Sequence, residues 1–442
     1  MSAAGPPQGT RPLGGTARSD ARGDTSAAGP PQGTRPLRGT ARSDARGEHL
    51  PSAQRDVVII GAGLVGIALA IALARAGLTV TIVDRGSVAA GDLADDEAWD
   101  ARVYAISPGS AEFLHGLGVW QRIPVERMAP IEAMEVCGDG DGRVQFDAYA
   151  LGERALAWII ENRELNAALV AALRAEESID VLAPAQPEAI AWLSDTAELR
   201  LRDSDALPAR LVVGADGIRS WARGQAGIHA APRSYAQSGV VANFSTERAH
   251  RGRAFQWFLG GEGVIAWLPL PGQRMSMVWS APDALASELL DLAPAALCER
   301  VATAGKHALG ALERITPAAA FPLAFLKLPS VIAHRFALIG DAAHVVHPLA
   351  GQGVNLGFGD AATLAELLAR RGIIDDPGAA LLLRQYELRR AAPVLAMQAV
   401  TDGLVRLFDA PVPWMRTLRN QGMRAVDAIG PLKRLLAQPA VR

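Results

Sequence analysis

Cysteine is nearly absent from this 442-residue chain, which holds only Cys137 and Cys298. Two isolated thiols make neither a disulfide framework nor a thiolate metal cluster, so a reducing compartment is expected. An excess of one charge is also lacking: 44 Lys and Arg face 46 Asp and Glu, for a formal net charge of −2. A nucleic-acid partner would call for a strongly basic face, so none is expected. The eight histidines are scattered. His344 and His347 stand three apart without a wider ligand cluster, and no metal site is expected. Long apolar runs are scarce too. The one unbroken stretch, Val57 to Ala74, is long enough to suggest a membrane span. Gly61, Gly63 and Gly66 fall where a strand would turn into a helix, however, so a buried strand–turn–helix is expected there. No other segment reads as a span, and no signal peptide is read at the start.

What is present begins with a tandem repeat. Ser2 to Leu13 recurs as Ser26 to Leu37, and Ser19 to Gly23 as Ser43 to Gly47. The segment is rich in Pro, Gly, Ala, Ser and Arg and poor in large apolar residues. It cannot bury enough surface to offset its ordering entropy, so residues 1–54 are expected to be a disordered extension.

Three loops then carry chemistry. Gly61-Ala62-Gly63-Leu64-Val65-Gly66 is a G-x-G-x-x-G run between a buried strand (57–60) and a helix (64–76). Glycines at this turn let the backbone approach a pyrophosphate, which then sits on the helix N-terminus. Asp84, with Arg85 beside it, ends the next strand (79–83), where a carboxylate can accept from ribose hydroxyls. The second loop, Gly214-Ala215-Asp216-Gly217, follows a short strand at 211–213. The third follows a strand at 336–339: Gly340-Asp341, then Pro348 through Gly351, Gln352, Gly353, Val354 and Asn355. A carboxylate at a strand end can accept from ribityl hydroxyls, and the 351–353 run offers close backbone N–H groups. Asn355 is placed where it could cap the following helix. Three such loops so far apart point to one large cofactor gripped from several directions, namely FAD. Residues 158–175 read as helix, 233–280 alternate like antiparallel strands, and the chain from Asp360 onward reads as helices broken at Pro393, Pro411, Pro413 and Pro431.

These loops, with Asp100-Ala101-Arg102-Val103-Tyr104-Ala105-Ile106-Ser107 and Leu117-Gly118-Val119-Trp120, resemble the flavin-dependent aromatic hydroxylases of the para-hydroxybenzoate hydroxylase type. Within that group the sequence is similar to the ubiquinone-biosynthesis hydroxylases, over about residues 55–436. The resemblance implies an α/β fold: a Rossmann-like FAD-binding domain, an inserted antiparallel-sheet substrate domain and a helical C-terminal region. The expected boundaries are 55–128, 158–226 and 329–373 for FAD, 129–157 and 227–328 for substrate, and 374–442 for the helices. It implies that Gly61, Gly63, Gly66 and Asp84 hold the ADP half of FAD. Arg102 and Arg163 would approach its phosphate and ribityl portion, and Asp216 would serve both FAD and NAD(P)H. Asp341 would bind ribityl oxygen, and Pro348 to Asn355 would lie beside the flavin ring. The family more often has Glu where Asp84 stands. The implied activity is hydroxylation of the aromatic ring of a polyprenylated phenol or quinol, with NAD(P)H and O₂ as co-substrates and water excluded. No residue is singled out as catalytic.

Two alternatives remain at this stage. One is an FAD-dependent reductase or dehydrogenase acting on an isoprenoid or other lipid-like substrate. The other is a non-enzymatic membrane-associated scaffold in which flavin is structural. A polyprenyl substrate resides in a bilayer. The C-terminal part combines Leu404, Val405, Leu407, Phe408, Trp414, Met415, Leu418, Leu432, Leu435 and Leu436 with Arg406, Arg416, Arg419, Arg424, Lys433 and Arg434. Peripheral, salt-sensitive attachment through residues 404–436 is therefore expected, from the cytoplasm, at the inner face of the cytoplasmic membrane. Other ubiquinone-biosynthesis proteins are candidate partners. The competing reading of this tail, compatible with the first, is that it packs on the FAD domain.

Overall fold

The computed structural model describes residues 54–89, 98–202, 204–372, 375–410, 412–429 and 433. The repeat at 2–48 and Leu432, Arg434, Leu435 and Leu436 lie outside the described residues. In chain order, the elements that build the site begin with β1 (Arg55–Ile60), α1 (Leu64–Arg75) and β2 (Val80–Val83). They continue with β3 (Ala133–Cys137), β4 (Arg143–Asp147), α2 (Asn162–Arg174), β5 (Ile179–Leu182) and β6 (Leu207–Gly214). Next come β7 (Arg233–Thr246), β8 (Arg253–Phe258), β9 (Val264–Leu270), β10 (Arg274–Pro282), β11 (Ala319–Phe325) and β12 (Phe336–Leu338). Three helices close the order: α3 (Gly353–Ala369), α4 (Ala380–Asp409) and α5 (Pro413–Ala428).

The apolar run at 57–74 is the strand–turn–helix its glycines imply. Val57, Val58 and Ile59 of β1 are fully buried, as are Ile67 to Ile71 on α1. Apolar side chains on both faces of a strand suit a parallel sheet covered on both sides. β1 indeed pairs in parallel with β2 and β6, β2 with β5, and β6 with β12. This sheet, covered by α1, α2 and α3, is the Rossmann-like part.

The second sheet runs β7–β10–β9–β8–β3–β4, with β11 against β7. Its pairs are antiparallel except β8 with β3. β3 enters from the separate segment near residue 133 rather than through a hairpin, so nothing forces it to reverse direction. Trp257, Trp267, Trp279, Met275 and Met277 fill the core behind this sheet, under a short helix at Pro294–Ala304. The described residues, all from 54 onward, belong to one compact unit.

Three expectations change. The helix expected from 158 begins at Asn162, because Trp158 to Glu161 pair with Val103–Ile106 and Met128–Ile131 as a strand. A β-branched and aromatic run fits that pleated, half-buried position. Pro393 does not end a helix but lies inside the 30-residue α4, on its exposed side. There water can take the carbonyl that Pro leaves without a donor. Finally, Val57–Ala74 is not the only long apolar segment: α4 also has the length and composition of a membrane-crossing helix.

Candidate functional site

A cavity of about 1660 Å³ runs from the N-terminus of α1 to the C-terminal helices. Gly63, Leu64 and Val65 line one end. Arg102, Tyr104, Gly340, Asp341 and residues 351–354 line the middle, and β8, β9, β10, α4 and α5, with parts of β3, β4, β7 and β11, line the far end.

At the α1 end the wall is backbone. Gly61 has φ +113°, and a Cβ there would stand 2.4 Å from the Ala215 carbonyl oxygen. A Cβ on Gly66 would meet the Gly61 carbonyl oxygen at 2.1 Å. Only glycine lets β1, the turn, α1 and the Ala215 loop come this close. Gly63 differs, because a Cβ there would meet nothing within 4 Å: the space before the helix is open. Gly63 is also the N-cap of α1, with no side-chain cap and no acid in the first turn. The first N–H groups of a helix lack intrahelical partners and the helix dipole favours anions. An open, uncapped, acid-free helix start on the cavity fits the pyrophosphate of a dinucleotide.

Asp84 is half-buried behind this turn. Its Oδ2 accepts from the Ala62 N–H and its Oδ1 from the Gly86 N–H, both at 2.7 Å. The carboxylate thus shapes the loop, leaving its second lone pairs for a ribose. Arg85 is exposed beside it.

Asp341 opens onto the cavity and has no hydrogen-bond partner among the described residues. Burial raises its carboxyl above the ordinary range, while His344 and Arg102 pull it down. A carboxylate open to the cavity with no protein hydrogen bond is free to accept from a ligand hydroxyl. A second carboxylate holds its loop in place. Asp360 of α3 is 1% exposed; its Oδ2 accepts from the Gly340 N–H at 2.9 Å and lies 2.7 Å from His344 Nε2. Its Oδ1 accepts from Arg390 Nε at 2.7 Å. Burial alone would raise the Asp360 carboxyl, but His344 and Arg390 outweigh it and hold it below the ordinary range. The sequence did not single out Asp360 or Arg390; neither belongs to a loop motif, and only the fold brings them under Gly340.

Gln352, Gly353 and Val354 line the cavity, with Pro348 and Gly351. Asn355 neither caps α3 nor faces the cavity. It is buried in the first turn, where Nδ2 donates to the Ala105 carbonyl at 2.8 Å and Oδ1 accepts from the Ser107 N–H at 3.0 Å. It ties the flavin-side loop to the strand that follows Arg102.

The remaining residues divide. Arg102 reaches the cavity, its guanidinium 5.4 Å from the Tyr104 ring and 5.8 Å from Phe321. Arg163 does not line the cavity. It lies against Glu164 at 3.0 Å, in a buried cluster with Glu161 and Arg127. Asp100 organises this corner: it accepts from the backbone N–H groups of Arg102 at 2.9 Å and Arg163 at 3.2 Å. Asp216 also turns away. It accepts from the Ser220 hydroxyl and from the N–H groups of Trp221 at 2.7 Å and Ala222 at 3.0 Å, so it caps the short helix that follows. Its neighbours Ala215, Gly217 and Ile218, not its carboxylate, meet the cavity.

The family described as an FAD binding domain spans residues 54–401 of this sequence. The chain belongs to that family. Its curated relatives include "Ubiquinone hydroxylase UbiL" of Rhodospirillum rubrum, 38% identical over 87% of this chain and 89% of that protein. Another is the "3-demethoxyubiquinol 3-hydroxylase" of Escherichia coli, 35% identical over 86% of this chain and 96% of that protein. The same fold is seen in the crystal structure of PqsL, a probable FAD-dependent monooxygenase from Pseudomonas aeruginosa. That structure has a TM-score of 0.70 and 24% identity, over 84% of this chain and 100% of that one. This family member is a flavin-dependent monooxygenase. Gly61, Gly63, Asp341 and the 351–354 backbone fit FAD, which when bound supplies the redox chemistry between NAD(P)H, O₂ and substrate.

The basic residues of the C-terminal region do not form a free comb. Arg419 donates to the Asp139 carboxylate and Arg416 to the Asp139 carbonyl. Asn420 Nδ2 donates to Asp139 Oδ1 at 2.9 Å, and its Oδ1 accepts from the Gly142 N–H at 2.9 Å. Arg424 pairs with Asp141 at 2.6 Å, and Lys433 with Asp427 at 2.8 Å. α5 is thus latched to the tip of the β3–β4 hairpin, in the substrate region. Phe408 of α4 stacks on Phe258 of β8 with ring centroids 3.7 Å apart. Of the two readings of this tail, packing is visible, and its partner is mainly the substrate sheet.

Proposed function

We propose that this chain hydroxylates the aromatic ring of a polyprenylated ubiquinone precursor, using NAD(P)H and O₂. The observation that carries the reading is the continuity of the cavity. One end is a dinucleotide cradle, and the other is an apolar chamber between β8–β10 and the C-terminal helices, suited to a ring with a hydrocarbon tail. The names of the relatives at 38% and 35% identity support the same substrate class.

The chain's own residues have three tasks. Gly63 and the α1 start hold phosphate. Asp341, kept in place by Asp360, meets the ribityl chain. The sheet wall, with Phe258 and Phe408 stacked at its edge, keeps water from the reacting centre, where water would divert oxygen to hydrogen peroxide. The test is turnover of the FAD-loaded protein with a short-prenyl phenol. Hydroxylated product with matching NAD(P)H and O₂ consumption is expected. NAD(P)H oxidation that reduces an isoprenoid double bond without consuming O₂ would favour the reductase reading instead.

The substrate is delivered from a lipid surface, in this proposal, through α4. No charged residue lies between Arg390 and Asp402. Leu395 and Val400 are 45% and 52% exposed, and Trp414 and Leu418 of α5 are 66% and 58% exposed. Val400 and Leu418 also line the cavity, so the exposed apolar patch is continuous with its interior. Because the arginines are paired internally, insertion of apolar side chains is the driving term and attachment depends weakly on salt. Binding of full-length protein to neutral as well as anionic vesicles, lost in Val400→Asp with Trp414→Asp, is the expected result. In this proposal the protein works from the cytoplasm, at the inner face of the membrane.

A further inference from the structure

The chamber wall is apolar almost throughout. β3, β8, β9 and β10 contribute Val136, Phe258, Val264, Ala266, Leu268 and Val278. On these strands two polar side chains interrupt it, Gln256 on β8 and Ser280 on β10. Gln256 is 5% exposed, faces the cavity and has no hydrogen-bond partner among the described residues. The stem is packed away and the carboxamide opens onto the cavity, so a polar partner for it comes from what enters there.

Its place on the strand says what that is. Side chains two apart on a strand share a face. Gln256 therefore sits between Ala254 and Phe258. Phe258 packs in one cluster with Leu349, from the loop that carries the flavin-side residues. Ala254 packs in another with Ala105. Ala105 is the residue against which Gly351 is pressed, since a Cβ on Gly351 would meet the Ala105 Cβ at 3.1 Å. Gln256 thus faces the Pro348–Gly353 loop across the cavity. The small side chains Ala254 and Ala266, its neighbours along the strand and across to β9, leave room beside it for a ring.

We propose that Gln256 is the specificity-determining residue for the substrate ring. Its carboxamide holds a ring oxygen, accepting from a hydroxyl or donating to a carbonyl or ether, and so fixes which ring carbon faces the flavin. A carboxamide offers both donor and acceptor and stays neutral, so it orients the ring without removing a proton. A pocket that hydrogen-bonds a substrate hydroxyl rejects the analogue without one, because the protein group is then left unpaired. The inference rests on the ring-hydroxylase reading and adds the residue that orients the ring.

The test uses full-length, FAD-loaded protein with NAD(P)H, O₂ and two probes: a short-prenyl phenol and the same ring without the hydroxyl. Hydroxylated product and hydrogen peroxide are counted per NAD(P)H. Wild type is expected to couple well and to prefer the phenol. Gln256→Leu should cut that preference by roughly tenfold, the scale of one hydrogen bond left unmade. It should also shift NAD(P)H consumption toward peroxide, with FAD content and melting temperature unchanged. Gln256→Met, which keeps the length, serves if the Leu variant folds poorly. If wild type hydroxylates the phenol and the Leu and Met variants keep both its preference and its coupling, the assignment of Gln256 is overturned alone. If wild type hydroxylates neither probe, the ring-hydroxylase reading fails and the assignment with it.

Discussion

The two ends of the cavity are built from different material. At the α1 end the ligand meets backbone: Gly63, Gly340, Gly351 and Gly353, with one carboxylate, Asp341, at the centre. At the far end it meets side chains on alternate positions of β8, β9 and β10, and the turns of α4 and α5. A nucleotide is polar and rigid in its demands, so its cradle is fixed by glycines at set spacings. A prenylated ring asks mainly for volume and dryness, which many apolar combinations provide. The first end therefore tolerates almost no substitution, whereas the second tolerates most and draws its selectivity from the few polar groups it keeps.

The sharpest way to break this contrast is a pair of glycine changes, one at a closed position and one at an open position. Gly61→Ala combines a left-handed φ with a contact at 2.4 Å to backbone, so neither side can give way. Strain and overpacking together cost roughly 2–6 kcal/mol, and loss of soluble, yellow protein is expected. Gly63→Ala meets nothing within 4 Å and should leave the melting temperature of the flavin-free protein unchanged or slightly raised. FAD should nevertheless bind more weakly, because the added methyl stands where phosphate approaches. Equal FAD affinity in Gly63→Ala would remove the cradle from the α1 start.

Asp360 comes next. Asp360→Asn leaves the Arg390 charge poorly compensated and weakens the anchor of the Gly340 N–H. Breaking a buried pair costs about 3–5 kcal/mol, and reduced FAD occupancy should accompany the fall in melting temperature. The pH dependence has a definite sign. A carboxyl held below its ordinary value contributes stability above the unfolded pKa of about 4 and loses it as pH falls through the lower folded value. Asp360→Asn should lack that part of the acid loss, and a titration of melting temperature below pH 5 shows it.

Asp341 and Asp360 also mark what was legible in the sequence. Asp341 follows a strand and belongs to a loop whose residues are contiguous, so one dimension suffices to find it. Asp360 is 20 residues from Gly340 along the chain, and Arg390 a further 30. Their meeting depends on α3 folding back against α4, which no spacing announces. The parallel sheet was legible because burial on both faces leaves unbroken apolar runs. Residues 158–161 read as helix because Trp158, Ile159 and Ile160 carry no period of their own; pairing makes them a strand. Asp216 shows the opposite failure: an Asp-Gly pair after a strand looks like a ligand, while its carboxylate caps the helix beginning at Trp221.

At the side-chain end, Asp139→Asn should cost less, about 1–3 kcal/mol, because charge-assisted bonds to Arg419 are replaced by weaker ones. Burial raises the Asp139 carboxyl, but Arg419 and Asn420 outweigh it and lower it overall, so the latch also weakens below the ordinary carboxylate range. The expected signature is local. Amide exchange should rise in α5 and the β3–β4 tip, with FAD content unchanged. Loss of flavin would mean that the two ends are coupled more tightly than their construction suggests.

The smallest effect at neutral pH is expected from His347, at the junction of the two ends. It is 1% exposed, its Nε2 lies 3.1 Å from Gln237 Oε1, and its ring meets Tyr235 edge-on at 4.9 Å. Burial lowers its pKa from 6.5 to about 4, with Asp402 opposing. The folded protein therefore keeps His347 neutral where the unfolded chain would protonate it. The corresponding stability is full above pH 6.5 and is lost as pH falls from there toward 4. His347→Gln has no proton to gain and can still donate to Gln237. At pH 7.5 its melting temperature should lie close to wild type. Between pH 6.5 and 4 the wild type should lose more stability than the variant, by up to about 3 kcal/mol across that window. Parallel curves through the window would mean that His347 is charged in the folded protein, and its burial beside the flavin-side loop would then need another counter-charge than Asp402.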